Sequence, residues 1–135
     1  MLVVMAQEKL PLEGLTILLV EDEPLIALDI AMILQDAGAT VIGPCKNVVA
    51  ALLRIQQGSD KVELHGAVLD VDLGDETSIP VARVLKDNEI PFVFHTGMNP
   101  LRHPLLADFD VPVVSKPSTS TALIAAIQSQ IAMIR

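Results

Sequence analysis

Residues 66–72 of the chain, Gly-Ala-Val-Leu-Asp-Val-Asp, form a short apolar run that ends in two carboxylates. Such a run is typical of a strand that is buried on both faces of a sheet. Three further apolar runs end in polar residues in the same manner, and these residues are Glu21 with Asp22, Thr96, and Lys116. Because the carboxyl ends of parallel strands open onto one edge of a sheet, these side chains are predicted to meet there.

Apolar runs alternate with segments of helical periodicity along the chain. Strands are predicted at residues 16–20, 39–42, 66–70, 91–96 and 111–115. Helices are predicted from Pro24 to Gly38, from Asn47 to Gly58, near residues 78–88, and from Ser118 or Thr119 onward. Proline in the first turn, asparagine as a cap and glycine as a stop support these limits. Strands that alternate with helices build βαβ units and hence a doubly wound parallel sheet.

The interval between the fourth and fifth strands departs from this alternation. A helix is due there, but Pro100 and Pro104 each remove a backbone donor. A proline inside a helix costs about 3 kcal/mol, so residues 99–110 are predicted to be irregular or to hold at most a short helix.

The start of the chain is predicted to lie outside the regular fold. Pro11 and Gly14 interrupt any regular element before the first strand, so residues 1–13 are expected to be a loosely ordered extension. Residues 14–135 are then expected to form one domain, which suits a chain of 135 residues.

Composition excludes several classes of function. The net charge of −8 argues against a nucleic-acid partner, which requires a basic face. No apolar run approaches the roughly 18 residues of a membrane span, so no membrane partner is expected. The single cysteine, Cys45, excludes an internal disulfide and fits a reducing cytoplasm. The hydrophobic fraction of 51% suits a parallel sheet that is covered on both faces.

The residues at the strand ends have the chemistry of a phosphoryl and magnesium site. Clustered carboxylates repel one another and need a cation or a proton to coexist. Mg²⁺ takes oxygen ligands and often keeps a phosphate oxygen in its shell. A lysine and a hydroxyl group beside it would meet the remaining phosphoryl oxygens.

The order of these residues along the chain resembles the receiver domain of two-component response regulators. The pattern is an acid pair, an aspartate, a threonine and Lys116-Pro117, each after its own strand. The resemblance covers nearly all of residues 14–135 and implies a flavodoxin-like (βα)5 fold with strand order 2-1-3-4-5. It also implies that the peptide bond before Pro117 is cis.

The resemblance implies a role for each residue of the site. Asp70 corresponds to the phosphoacceptor, a carboxylate nucleophile that forms an aspartyl phosphate. Glu21 and Asp22 correspond to the acid pair that holds Mg²⁺, and Asp72 lies where receivers use a backbone carbonyl as a further ligand. Thr96 corresponds to the switch hydroxyl, and Lys116 to the lysine that pairs with phosphoryl oxygens.

Residues 94–97, Phe-His-Thr-Gly, are similar to the Phe-Ala-Thr-Gly signature of a response-regulator subgroup found mostly in alphaproteobacteria. Members are often single-domain receivers served by histidine kinases of the HWE or related families. The implied partners are therefore such a kinase or a phosphotransfer protein, and a downstream protein target. Two residues depart from the family pattern: His95 replaces a small residue, and Val113 lies where many receivers carry the aromatic ring that turns inward on activation.

Three alternatives remain to be weighed against a receiver. Asp70-Val71-Asp72 is similar to the Asp-x-Asp motif of haloacid-dehalogenase-type phosphatases, in which the second aspartate is a general acid. That family places the motif on its first strand and its acidic pair last, which is the reverse of the order here. A degenerate receiver that only binds protein is disfavoured because every acceptor-site residue is present. A Rossmann-type cofactor site is disfavoured because the chain has no glycine-rich phosphate loop.

Overall fold

A computed structural model describes residues 9–61, 63–97, 104–116 and 119–134. Its core is a single sheet of five strands: β1 (Thr16–Val20), β2 (Thr40–Cys45), β3 (Gly66–Asp70), β4 (Phe92–Thr96) and β5 (Val113–Ser115). All neighbouring strands are parallel, and their order is β2-β1-β3-β4-β5. The predicted flavodoxin-like topology is therefore confirmed.

Four α-helices cover the two faces of the sheet: α1 (Pro24–Asp36), α2 (Val48–Lys61), α3 (Ile79–Asp87) and α4 (Ser120–Ile134). Residues of α2 and α3 share one apolar core, and residues of α1 and α4 share the other. Every residue of β1, β3 and β4 is buried, because alternate side chains enter alternate cores. Among the helices that the structure describes, none is long and apolar enough to cross a membrane.

Among the described residues between β4 and β5, the chain forms a short 3₁₀ helix, Pro104–Asp108. The prediction for this segment is confirmed from residue 104 onward, and its first residues, 99–103, lie outside the described residues. Phe109 follows the 3₁₀ helix and packs edge-on against Phe92 and Phe94, with ring centroids 5.8 and 5.7 Å apart. Because this packing fixes the segment to the sheet, a full helix is not needed to cover the core here.

Three predicted element limits are wrong. β2 continues past Ile42 to Cys45, which pairs with Val20 after a shift of register. Gly43, at φ +108°, accommodates the shift, and Pro44 is tolerated because β2 is an edge strand. The other two errors are that α2 runs through Gly58 to Lys61 and that β5 begins at Val113, two residues later than expected.

The described part of the predicted extension is attached to the domain. Leu12 is fully buried in the core shared by α1 and α4, and its amide donates to the Ala37 carbonyl at the end of α1 over 2.7 Å. Gly38 follows at φ +101°, where a Cβ atom would lie 2.8 Å from the Glu13 Cα. Residues 1–8 lie outside the described residues, and the domain limit at residue 14 stays a prediction.

Gly38→Ala should destabilise the protein more than Gly14→Ala. Both glycines have positive φ, so each alanine pays a conformational cost of about 1 kcal/mol. Only the Gly38 variant also drives a Cβ atom into the Glu13 backbone, which should add about 1 kcal/mol or more. Urea denaturation of both variants measures the difference, and equal losses would contradict the described packing of the turn on α1.

Candidate functional site

The polar residues at the strand ends converge at the carboxyl edge of the sheet, as predicted. Glu21 follows β1, Asp70 ends β3 and Lys116 follows β5. The Lys116 Nζ atom lies 2.7 Å from Glu21 Oε1 and 3.2 Å from Asp70 Oδ2. Three residues from three strands thus form one ion-paired cluster.

Backbone hydrogen bonds hold these residues in register with their neighbours. The Lys116 amide donates to the Thr96 carbonyl over 2.7 Å, which continues the β4–β5 pairing one residue past β5. The Glu21 amide donates to the Cys45 carbonyl over 3.0 Å and extends the pairing of β1 with β2 in the same way. The sheet therefore positions the cluster directly, without a long loop in between.

The turn from β1 into α1 places the acid pair. Glu21 is turned inward and is almost completely buried, and its Oε2 accepts a hydrogen bond from the Glu23 amide over 3.3 Å. The Glu23 carboxylate caps α1 by accepting from the Ile26 amide over 2.9 Å, and Pro24 begins the helix. Asp22 lies between these two anchored acids and is half-buried.

Burial and mutual repulsion make Asp70 a weak acid. Burial is the largest cause that raises its pKa to about 7, followed by the hydrogen bond with Glu21 and the charge of Glu21. Burial also raises the pKa of Glu21, but the hydrogen bonds of its carboxylate with Asp70 and Lys116 outweigh it, so the net shift is downward. Near neutral pH and without a cation, Asp70 and Glu21 therefore share a proton.

Lys116 supplies the positive charge of the cluster, and its ammonium group stays protonated at neutral pH. Burial lowers the pKa of Lys116, but the hydrogen bond and charge of Glu21 and the charge of Asp70 raise it by more. The net shift of this pKa is therefore upward. Since one ammonium group faces two buried carboxylates and Asp22, the fully ionised cluster is negative and favours a cation.

Carboxylate oxygens of Glu21, Asp22 and Asp70 all lie within 4.8 Å of one another, a spacing that a single metal ion can span. All the donors are oxygens, which suits a hard cation such as Mg²⁺ or Ca²⁺. The Asp72 side chain is not part of this group of carboxylates. Its backbone carbonyl, the group that the resemblance assigns as a ligand, lies at the start of the loop after β3.

Thr96 ends β4 and is almost completely buried. Its carbonyl accepts a hydrogen bond from the Lys116 amide, which joins the end of β4 to the chain at the lysine. Val113, two residues before Ser115 in β5, is half-buried at the margin of the core and carries no aromatic ring. An aromatic toggle is therefore absent at this position of β5.

His95 lies on the opposite face of β4 from Thr96, as strand alternation predicts. It is buried and lines a cavity of about 420 Å³ between α1 and α4, together with Ile30, Leu123 and Lys116. Burial, followed by the charge of Lys116, lowers the pKa of His95 to about 4, so the imidazole is neutral at pH 7. Such a group is a structural part of the core behind the cluster.

Of the other two histidines, the structure describes His65, which lies away from the cluster. His65 Nδ1 accepts a hydrogen bond from the Thr16 amide over 2.9 Å, which is a structural role at the far end of the sheet. His103 and Pro117, with its expected cis bond, lie outside the described residues.

The sequence did not predict that the loop between β3 and α3 is structured and lies at the site. Asp72 and Thr77 pair in an antiparallel bridge, so residues 71–78 form a small hairpin beside the cluster. The Glu76 carboxylate reaches from this hairpin to the Val48 amide at the start of α2. A polar stretch without periodicity carries no signal for such a contact, although Gly74 within it is a turn residue.

No protein-family model matches the chain, and no curated protein matches it in sequence. Solved structures do match. A response regulator receiver protein from Sinorhizobium medicae WSM419 is 29% identical, with a TM-score of 0.77 over 92% of this chain and 99% of that chain. The response regulator PhyR from Brucella abortus is 27% identical, with a TM-score of 0.75 over 93% of this chain. This chain spans 51% of the PhyR chain, about half of its length.

A more distant match was crystallised in a modified state. It is a response regulator from Burkholderia pseudomallei with a phosphorylated aspartic acid, a calcium ion and citrate. It is 18% identical, with a TM-score of 0.72 over 90% of this chain and 71% of that chain, and at this identity it shows the fold alone. The matches confirm the resemblance seen in the sequence: the chain has the fold of the receiver domains of response regulators.

Proposed function

We propose that the chain is a response-regulator receiver that accepts a phosphoryl group on Asp70 and signals through protein contacts. The donor would be a sensor histidine kinase of the HWE or related type, or a phosphotransfer protein in the same cytoplasmic compartment. The observation that carries the proposal is the Lys116 ammonium between Glu21 and Asp70, beside three carboxylates close enough to share a cation. The net charge of −8 supports a protein rather than a nucleic-acid partner.

In the proposed reaction, an Asp70 carboxylate oxygen attacks the phosphorus of a phosphohistidine. A phosphorus–oxygen bond forms, the phosphorus–nitrogen bond breaks, and the leaving imidazole takes a proton from solvent. Glu21 and Asp22, with the Asp72 carbonyl, would hold Mg²⁺, which when bound neutralises charge on the transferring group. Lys116 already contacts Asp70 and would move its ammonium group onto a phosphoryl oxygen.

Phosphorylation would be read out through Thr96. Its hydroxyl would turn to a phosphoryl oxygen, and its carbonyl, which accepts from Lys116, would carry the shift to β5 and α4. Gly97 has no side chain that would resist a change in the backbone after Thr96. The short 3₁₀ helix further along the chain would lose little regular structure if this segment moved. A rotating ring is not required in this mechanism, which accords with Val113 in β5.

A phosphatase of the haloacid-dehalogenase type is a weaker proposal for this site. Its general acid would be the Asp72 carboxyl group, and the Asp70-x-Asp72 motif would follow the acid pair, the reverse of the order in that family. The matched solved structures are signalling receivers, which also supports a phosphoacceptor rather than an enzyme with a separate substrate.

Asp70→Asn should abolish uptake of a phosphoryl group from acetyl phosphate in the presence of Mg²⁺, because the amide is not a nucleophile. Asp72→Asn should retain uptake, because the backbone carbonyl is unchanged. Intact mass spectrometry, with hydroxylamine to cleave an acyl phosphate, measures both. Hydroxylamine-labile phosphate on the Asp70 variant would refute the assignment.

Adding Mg²⁺ should raise the melting temperature of the wild-type protein, because a cation relieves repulsion among Glu21, Asp22 and Asp70. Asp22→Asn should weaken the response by removing a ligand that is outside the lysine ion pair. A thermal-shift titration measures the midpoint, with NaCl at matched ionic strength as the control. An equal rise with NaCl would show that only general screening operates.

In EDTA, the free energy of unfolding of the wild type relative to Asp70→Asn should fall by about 1 kcal/mol as pH rises from about 6.5 to about 8. The pKa of Asp70 is 3.8 in the unfolded chain and about 7 in the folded protein. Its protonation therefore stabilises the fold fully below pH 3.8, and this contribution is lost as the pH rises through 7. His95 acts with the opposite sign, because its pKa falls from 6.5 to about 4 on folding. Its contribution still rises slightly above pH 6.5 and is shared by both proteins, whereas the lowered pKa of Glu21 acts at lower pH.

The matched variant for this pH dependence is Asp70→Asn, which lacks the titrating group. Its stability should be flat or rise slightly over the same interval, as His95 in the unfolded chain loses its proton, measured by urea denaturation in EDTA. An equal slope in both proteins would assign the pH dependence to another group.

A further inference from the structure

The loop after Asp70 is a closed hairpin rather than an open connection. Asp72 and Thr77 pair as an antiparallel bridge. Within it, the Leu73 amide donates to the Glu76 carbonyl over 2.8 Å, and Gly74 turns the chain at φ +81°. At its base, the Ser78 amide donates to the Val71 carbonyl over 2.9 Å. Backbone hydrogen bonds therefore close the hairpin both near its tip and at its base.

The tip of the hairpin lies beside the acid pair. A Cβ atom at Gly74 would lie 3.9 Å from Asp22 Oδ2, which is ordinary van der Waals contact. The hairpin also begins with Asp72, two residues after Asp70. A displacement of the hairpin would thus change the surroundings of Asp22 and move the Asp72 backbone.

Glu76 fastens the hairpin to another element. Its Oε2 accepts a hydrogen bond from the Val48 amide over 3.1 Å, across 28 positions of sequence. Val48 is the first residue of α2, a helix with no acidic residue in its own first turn. A carboxylate at that end of a helix satisfies a free amide and meets the positive end of the helix dipole.

The start of α2 is in turn fixed to the acid pair. Asn47 caps the helix, with its Oδ1 accepting from the Ala50 amide over 2.8 Å. Cys45, two residues earlier, accepts the Glu21 amide at its carbonyl over 3.0 Å. The backbone pairing of Cys45, and not the side-chain cap of Asn47, therefore joins the start of α2 to Glu21.

We infer that Glu76 is a positioning residue that sets the affinity of the site for a divalent cation, an inference that rests on the proposed function. It does not touch the cluster itself. By holding the hairpin against α2, it fixes the Asp72 carbonyl and the Gly74 tip relative to Glu21 and Asp22. Substitution of a residue that orients a metal ligand commonly changes metal affinity by about an order of magnitude.

Thermal-shift titration with MgCl₂ tests this inference on three variants of the whole chain. Glu76→Ala should raise the Mg²⁺ midpoint roughly tenfold. Glu76→Gln should keep most of the wild-type affinity, because its amide oxygen can still accept the Val48 amide. Asn47→Ala is the matched control: it removes a cap from the same helix without releasing the hairpin, and should lower stability while leaving the midpoint unchanged.

The alternative to a positioning role is a purely structural cap on α2. In that case Glu76→Ala and Asn47→Ala would shift the Mg²⁺ midpoint equally, or neither would shift it, and the inference would be overturned. Failure of Glu76→Gln to rescue the midpoint would also count against the hydrogen bond to Val48 as the cause.

Hydrogen exchange in EDTA separates this inference from the proposed function. Glu76→Ala should speed exchange of the Leu73 and Ser78 amides, which close the hairpin, and Asn47→Ala should not. If the wild type shows no response to Mg²⁺, the proposed function fails, while the exchange rates still decide whether Glu76 holds the hairpin. Unchanged rates at both amides in Glu76→Ala would overturn the inference.

Discussion

The structure depends on two buried carboxylates that share one lysine at the end of a parallel sheet. Glu21 and Asp70 are nearly inaccessible to solvent, and the Lys116 ammonium lies within 3.2 Å of both. Burial of Asp70, followed by the hydrogen bond and charge of Glu21, raises the pKa of Asp70 to about 7 despite the nearby ammonium group. An added cation would offset the remaining negative charge, and this would link the proposed metal binding and phosphorylation to stability.

The remainder of the fold keeps this unfavourable arrangement in place. Two apolar cores cover both faces of the sheet, so the strands that end at Glu21, Asp70 and Thr96 are fixed on both sides. Backbone hydrogen bonds from Glu21 to Cys45 and from Lys116 to Thr96 extend the strand pairing into the site. The free energy of packing thus offsets the cost of burying the carboxylates, and a bound cation would reduce that cost.

Sequence predicted the sheet and the cluster because both follow from short-range patterns. Apolar runs identify buried strands, and the residues after them must lie at one edge of a parallel sheet. Contacts between distant polar residues leave no such pattern, which is why the link from Glu76 to Val48 was missed. The true end of β2 depends on a shifted pairing of Cys45 with Val20, and the burial of Leu12 depends on the end of α1; neither is visible in local propensity.

The most direct test of this account is the ionisation of the Asp70 carboxyl group itself. Its side-chain carboxyl carbon can be followed by ¹³C NMR across neutral pH, first in EDTA and then in MgCl₂. We predict a titration near pH 7 in EDTA that moves well below neutrality when Mg²⁺ is added. A titration near the ordinary value of 3.8 in EDTA, or one that Mg²⁺ leaves unchanged, would contradict the account.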